Sequence, residues 1–500
     1  MTLLFVGLYF AVLLALCSYG VHRAHLVYLL WRYRDRTQPK ALVALASGDE
    51  ADSCLPHVTI QLPLYNEATV VDRLLGAAGT MDYPRSRLEL QILDDSSDET
   101  RVIAQRKVQE LRDMGIDAVY VRRPNRQGYK AGALDYGLAT AKGELVAVFD
   151  ADFVPQPGFL RAVVGHFADP KIGMVQTRWG HMNRDHSLLT GVQALMLDGH
   201  HLVENRARFA SDCFFNFSGT GGIWRRAAID SAGGWQHDTL TEDLDLSYRA
   251  QLAGWKFVYR GDVVTPSELP EDMSALRAQQ YRWAKGTVQT ARKLLPVIMK
   301  ADIGERRRLE AMFHLTPHFA YPLMMLLSVL LLPALWVMPA TDFRTMLVID
   351  LPLCIGATGS LITFYAAAER AQGRGVWGAV KRMPALIALG AGLSPHLTKA
   401  VFEGMRAMAG EFVRTPKRGE NRGRYRQRAQ LPLVETMLAA VSIVSVVVAF
   451  QTSHWFAIPF AGLFAWGYGY VASRVFVEQL QARRDSLVPA APTQPEARWT

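Results

Sequence analysis

"HVTIQLPLYNE" occupies residues 57–67: an apolar run that breaks off in a polar turn and leads into a helix-like pattern, "EATVVDRLLGAAG". The plan then returns. "LELQILDDSSDET" at 88–100 is again a strand, an acidic turn and the start of a helix near Asp98. "DAVYVRR" at 117–123 supplies a third strand and "GELVAVFDADF" at 143–153 a fourth. Strands alternating with helices predict a mainly parallel sheet covered on both faces, an α/β domain Rossmann-like in outline. Such sheets bind ligands at the carboxyl ends of their strands. Those ends carry Asn66 and Glu67, Asp94 and Asp95, then Asp150 and Asp152. No GxGxxG follows the first strand, which argues against a nicotinamide or flavin cofactor.

The flanks of this domain are of another kind. The chain has 500 residues, more than one core usually serves, so at least two structural units are expected. Apolar runs stand at 3–19, 313–338, 346–368, 433–450 and 455–473. Each is close to the ~20 residues a helix needs to cross a bilayer. The interval from 40 to 300 contains none. The first run lacks the positive start and small-residue cleavage site of a signal peptide, and reads as a retained anchor. His22, Arg23, Arg32, Arg34 and Arg36 follow it and put the next domain in the cytoplasm. Arg370, Arg374, Lys381 and Arg382 lie on one side of the weakly apolar stretch 383–400, and residues 406–428 hold eight Arg or Lys against two Glu on the other. A crossing there would send one basic loop outward, so the stretch predicts an interfacial or re-entrant helix. Five spans follow, with the N-terminus outside and the C-terminus inside.

The expected organisation is a transmembrane anchor and juxtamembrane segment over 1–38 and a cytoplasmic domain over 39–300. A transmembrane bundle over 301–480 follows, with an interfacial helix at about 383–405 and a basic loop at 406–430, then a tail of disordered composition over 481–500. The net charge of +9 is then a signal of topology and lipid headgroups rather than of nucleic acid, because the basic residues crowd around the spans. Cys17, Cys54, Cys213 and Cys354 are scattered without metal-type spacing.

Within the domain, Asp150 and Asp152 in "FDADF" would project to one side if extended geometry persisted, able to share a Mg²⁺ or Mn²⁺ ion with substrate phosphates. Carboxylates two apart at a strand end are also common as solvated turn caps, so the pair needs company. "QGYKAGALDYG" at 127–137 places Lys130 at a helix start where phosphate is well received, or merely on an exposed first turn. "DDSSDET" has the form of an N-cap cluster, yet Asp95 is placed to accept from a base or ribose. In "TLTEDLDL" at 239–246, Glu242 and Asp243 suit a helix N-terminus, and Asp243 also suits a general base for an incoming hydroxyl. "QQYRWAKG" at 279–286 sets Gln279, Arg282 and Trp283 on one helical face. There an indole can stack on a sugar and a guanidinium can fork onto a diphosphate. The ordered set describes glycosyl transfer from a nucleotide-sugar.

On these motifs the sequence resembles a family 2 glycosyltransferase, with the D, DxD, TED and QxxRW set of processive β-glycan synthases. It is most similar to the cellulose synthase-like group that makes mannan and glucomannan. "QLPLYNE", "GYKAGAL", "FDADFVPQPGFL", "VQTRWGHMN", "GTGGIWR", "GWKFVY" and "ELP" add to the likeness. The resemblance implies a GT-A fold beside a helical transmembrane region, in a multi-pass protein of the inner or another cell membrane, and inversion at the anomeric carbon. It implies UDP-glucose or GDP-mannose as donor, a growing glycan as acceptor, a divalent metal and room for accessory export subunits. Asp94 or Asp95 would meet the nucleoside and Lys130 the diphosphate. Asp150 and Asp152 would serve donor and metal, with Asp243 beside Glu242 as the base. Gln279 and Arg282 would hold the diphosphate and Trp283 the acceptor, while Gly219 and Thr220 of "FSGTGG" match the acceptor-side loop. "EFVRTPKRG" at 411–419 is similar to a gating loop, although Arg414 and Pro416 depart from its pattern around Thr415 and Lys417. No cyclic-dinucleotide module follows. Two other readings remain at this stage: a non-processive enzyme that glycosylates ceramide or diacylglycerol, and a transporter or scaffold, for which Asp350 is the lone central intramembrane acid.

Overall fold

The computed structural model describes residues 2–37, 52, 54–338, 355–410 and 431–487. The stretch 411–419, Asp350, Cys354 and the last residues of the tail lie outside them.

The four expected strands form side by side. β1 (Val58–Leu64), β2 (Leu88–Asp94), β3 (Asp117–Val121) and β4 (Leu145–Val148) are parallel in the order β3-β2-β1-β4. Helices Val71–Gly79, Thr100–Asp113 and Tyr129–Leu138 make the crossovers. Covered on both sides, β2 is buried at all seven positions, and its polar side chains are paired there: Glu89 accepts the Thr59 hydroxyl at 2.6 Å and Gln91 accepts the Gln61 amide at 3.1 Å. Three further strands continue the sheet: β5 (Ile172–His181), β6 (Gly222–Arg225) and β7 (Lys256–Ser267), giving β3-β2-β1-β4-β6-β5-β7. β6 runs antiparallel to both β4 and β5, and β7 parallel to β5. The sheet is thus mixed, with its parallel half as expected. Strand order reverses where β1 meets β4, so the adjoining loops part and open a crevice at the carboxyl ends.

Beyond the domain the chain is helical. Among the described residues, four helices are long and apolar enough to cross a membrane: Leu4–Arg32, Pro317–Val337, Val376–Arg406 and Leu433–Gln451. The apolar stretches of three of these are only 11%, 28% and 39% buried, whereas that of Val376–Arg406 is 61% buried. The segment expected as an interfacial helix is therefore a continuous helix of 31 residues, enclosed by its neighbours and carrying Pro384 and Pro395 inside it. The run 346–368 is described only from the π-helical turn Ile355–Gly359 into Ser360–Ala371. The run 455–473 forms the first part of Ala457–Leu487.

Domain and helices are fastened by buried charge. Arg184 bridges Asp198 and Glu369, tying β5's flank to Ser360–Ala371. Arg277, on the long helix Met273–Lys300, pairs with Glu435 at 2.8 Å. Glu478 of the last helix accepts the Met273 N–H at 2.7 Å, the Ser274 N–H at 2.9 Å and the Ser274 hydroxyl at 2.6 Å. These are first-turn amides, which have no partner inside their own helix. An anion from a distant element thus caps the helix that carries Arg282 and Trp283.

Candidate active site

The strand-end loops and two helices enclose one cavity, and most of the sequence-predicted site residues line it. Asp95 comes from the end of β2, Lys130 from the first turn of Tyr129–Leu138, and Asp150 and Asp152 from the end of β4. Ser218 and Gly219 come from the loop before β6, Glu242 and Asp243 from the first turn of Glu242–Leu252, and Gln279, Arg282 and Trp283 from Met273–Lys300. Gln279, Arg282 and Trp283 share a face, as their spacing predicts.

The Asp150–Asp152 arrangement differs from the one expected. β4 ends at Val148, and Asp150 begins a turn closed by the Phe153 N–H on the Asp150 carbonyl at 3.0 Å. A turn, not an extended strand, brings both carboxylates to the cavity. Thr220 is corrected too: only 1% exposed, it does not line the cavity, and its Oγ1 accepts the Asp150 N–H at 2.9 Å. It braces the turn from behind the cavity wall. Asp94 is likewise a scaffold residue, 1% exposed, accepting the Tyr120 hydroxyl at 2.7 Å and the Ser96 N–H at 2.8 Å. Of the two candidates it is Asp95 that borders the cavity, its carboxylate held by Nε and Nη2 of Arg123.

Lys130 is the centre of charge. Its Nζ lies 2.5 Å from Asp150 Oδ1 and donates to the Gly219 carbonyl at 2.9 Å. Burial alone would draw its pKa down, but Asp150, Glu242 and Asp243 outweigh that and raise it, so the ammonium persists. Burial raises Glu242 despite Lys130. Burial and then the neighbouring Glu242 push Asp243 up to about 7. Arg282 is lowered by burial, while Glu242, Asp150, Asp243 and Asp152 pull the other way. It stays charged, because guanidinium begins so high.

Two glycines let these elements close. Gly219 has φ +82°, and a Cβ there would come within 3.0 Å of Asp243 Oδ2. A Cβ on Gly286 would meet Thr241 Cγ2 at 2.6 Å and the Thr241 nitrogen at 2.8 Å, so Met273–Lys300 lies directly on the turn before Asp243.

Three wall residues were not singled out from sequence. Arg126 lies 3.3 Å from the Tyr65 ring centroid, and both border the cavity. Trp179 borders it as well, its indole N–H donating to the Thr220 carbonyl at 3.3 Å and its ring meeting Phe153 edge-on at 5.2 Å. Tyr65 and Trp179 sit inside the quoted stretches "QLPLYNE" and "VQTRWGHMN", and that was the available signal.

Among the described residues no three His, Cys, Asp or Glu side chains form a metal cage. Two carboxylates on a cavity wall nevertheless suit Mg²⁺ or Mn²⁺, which usually take one or two carboxylates and complete their shell with phosphate oxygens and water.

Residues 56–286 match the family model described as "Glycosyltransferase like family 2". Glucomannan 4-beta-mannosyltransferase 2 of Arabidopsis thaliana is 42% identical over 281 residues, 55% of this chain and 52% of its own length. Probable glucomannan 4-beta-mannosyltransferase 7 of Oryza sativa subsp. japonica is 40% identical over 282 residues, 55% of this chain and 48% of its own. The chain thus spans about half the length of these curated relatives. Among solved structures, the mannosyltransferase PcManGT from Pyrobaculum calidifontis, in complex with GDP-Man and Mn²⁺, superposes with a TM-score of 0.51 at 24% identity. That match covers 74% of this chain and 99% of PcManGT. The likeness is one of fold, and the fold is the GT-A arrangement.

Proposed function

We propose that this chain is a membrane-embedded, inverting glycosyltransferase of family 2, a reading supported by the match of residues 56–286 to that family's model. It transfers sugar from GDP-mannose or UDP-glucose to a growing β-1,4-linked mannan or glucan and helps to export the product. The observation that carries this reading is the meeting of Asp243, Trp283 and the Asp150–Asp152 pair on one cavity. The names of the plant relatives favour the mannosyl donor.

In this mechanism the acceptor sugar lies on Trp283 and presents a hydroxyl to Asp243. Asp243 takes its proton as the oxygen bonds to the anomeric carbon, while the bond from that carbon to the diphosphate breaks on the opposite face. One displacement inverts the centre, and the proton on Asp243 later passes to solvent. Lys130 and Arg282 receive the charge that collects on the departing nucleoside diphosphate, in a site where fixed cations need no reorganisation. Asp150 and Asp152 would hold a divalent ion, which when bound neutralises the diphosphate further.

The same reading puts the apolar helices in a bilayer, with the domain on its cytoplasmic side. Both chain ends support this placement. Tyr33, just past the first helix, accepts from Arg306 at 3.2 Å, and Glu478, near the end of the last, caps Met273–Lys300, so both helices meet the domain at their carboxyl ends.

The test supplies membranes holding the full chain with each labelled nucleotide-sugar in turn. A ladder or an insoluble glycan is expected, whereas a single glycolipid spot would favour a lipid acceptor. Excess chelator is expected to cut transfer at least about tenfold, and added Mn²⁺ to restore it. Undiminished transfer in chelator would count against a metal on Asp150 and Asp152.

The pH profile is a further expected result. A carboxyl raised to about 7 is protonated, and useless as a base, below that value. The kcat/KM at limiting donor therefore climbs roughly tenfold per unit below about pH 7 and levels off above it. A profile flat across that range would remove Asp243 from the role of base.

A further inference from the structure

The residue that fixes the base in place lies two turns along the helix from Arg282. Gln289 is fully buried, and both its amide oxygen and its amide nitrogen are bonded to other segments. Its Oε1 accepts the Leu240 N–H at 3.0 Å. Its Nε2 donates to the Ala407 carbonyl at 2.9 Å and the Ala409 carbonyl at 2.6 Å. Leu240 stands three residues before Asp243 and itself borders the cavity. Ala407 and Ala409 follow directly on the enclosed helix Val376–Arg406.

The surroundings make this link specific. The Ala409 N–H donates to the Asp238 carbonyl at 2.7 Å, so the chain past the helix lies against the segment that leads to Asp243. Thr290, the next residue, meets Thr241 oxygen to oxygen at 3.1 Å. A Cβ on Gly404 would come within 2.8 Å of the Lys285 carbonyl, which shows how closely the two helices approach. Lys285 pairs with Glu403 across the same seam at 3.1 Å. Little room remains for water to replace Gln289.

We propose that Gln289 is a positioning residue: it holds the Leu240–Asp243 turn against residues 407–409, and so sets where the general base stands relative to the acceptor hydroxyl. This rests on Asp243 being the base. Gln289 touches no substrate; it acts through Leu240 and Thr241. Its loss lets the turn drift while the donor-side groups, Lys130 and the Asp150–Asp152 pair, keep their own supports in Gly219 and Thr220.

Gln289→Met is close in volume and lacks all three hydrogen bonds. In the full membrane-bound chain it is expected to lower kcat roughly tenfold to a hundredfold, with donor affinity changed less than about twofold. The acid limb of the rate should also move to lower pH, because a loosened Asp243 is better hydrated while still facing Glu242, Lys130 and Arg282. A merely structural change would scale the amount of active protein and leave that limb in place. An unchanged kcat and limb would overturn the proposal. If the variant fails to reach the membrane, amide hydrogen exchange in the native chain decides: slow exchange of the Leu240 amide is expected, and exchange at the rate of an open loop would overturn the link. An inactive Asp243→Asn beside an unimpaired Gln289→Met sinks the link alone. An active Asp243→Asn sinks the catalytic reading beneath it.

Discussion

Asp243→Asn is expected to lose about a thousandfold or more in kcat while still binding nucleotide-sugar. The substitution keeps shape and size, and the side-chain carbonyl can still accept the Leu244 N–H that Asp243 Oδ1 accepts at 2.8 Å. What it loses is basicity: an amide has no proton affinity in the range where Asp243, raised to about 7, is poised. A thousandfold corresponds to about 4 kcal/mol of barrier. Glu242 does not stand in. It sits in the same first turn, also raised by burial, and it faces Lys130 and Arg282. Removing the Asp243 charge relieves Glu242 of a like neighbour, so donor binding should hold or improve slightly. Steady-state transfer together with calorimetric titration of the donor separates the two effects. A variant that keeps a tenth of the native rate would show that the proton leaves by another route.

Arg282→Ala should cost roughly a hundredfold to a thousandfold in kcat and weaken the donor as well. Arg282 is surrounded by Glu242, Asp150, Asp243 and Asp152. Without it those acids face a diphosphate with Lys130 as their nearest cation, and Lys130 is already engaged by Asp150. The loss should appear in both parameters, because a guanidinium that meets the diphosphate in the ground state meets more charge as the bond breaks. Arg282→Lys restores charge without the planar fork and should recover only part of the rate. In the alanine variant Glu242, held down in part by Arg282, would titrate higher. Measurement of kcat and donor KM for both variants checks this, and a lysine enzyme equal to the native one would leave no role for the bidentate geometry.

The parallel half of the sheet was legible because each strand there is a short, mostly apolar segment that breaks off in a polar turn before a helix. The antiparallel insertion was not. β6 is four residues long and follows a glycine-rich loop, so its pairing with β4 and β5 is set by contacts remote in sequence. The same reason separates Asp94 from Asp95. Adjacent acids look alike in a sequence, and only Tyr120, 26 residues on, shows that the first is spent on scaffold. The periodicity of "QQYRWAKG" did carry the shared face of Gln279, Arg282 and Trp283, since helical spacing fixes it locally. Arg126 and Trp179 were passed over because residue type alone says nothing about which wall a side chain borders. The stretch 383–400 was read as interfacial from the basic residues on both its sides, which carry no record of the neighbours that enclose Val376–Arg406. The expected gating residues Thr415 and Lys417 lie outside the described residues.

The contact made by Glu478 bears on how this protein can be taken apart. Nine residue steps at 1.5 Å each put Arg282 only about 14 Å from the amide of Met273 that Glu478 holds. A rod so short transmits tilt faithfully, so a change in the lean of the final helix reaches Arg282 and Trp283 as a small rotation. A fragment cut after residue 300 would keep every chemical group of the pocket yet lose the peg that sets its angle. The angle of Met273–Lys300, and with it the placement of Arg282 and Trp283, is thus set from outside the domain.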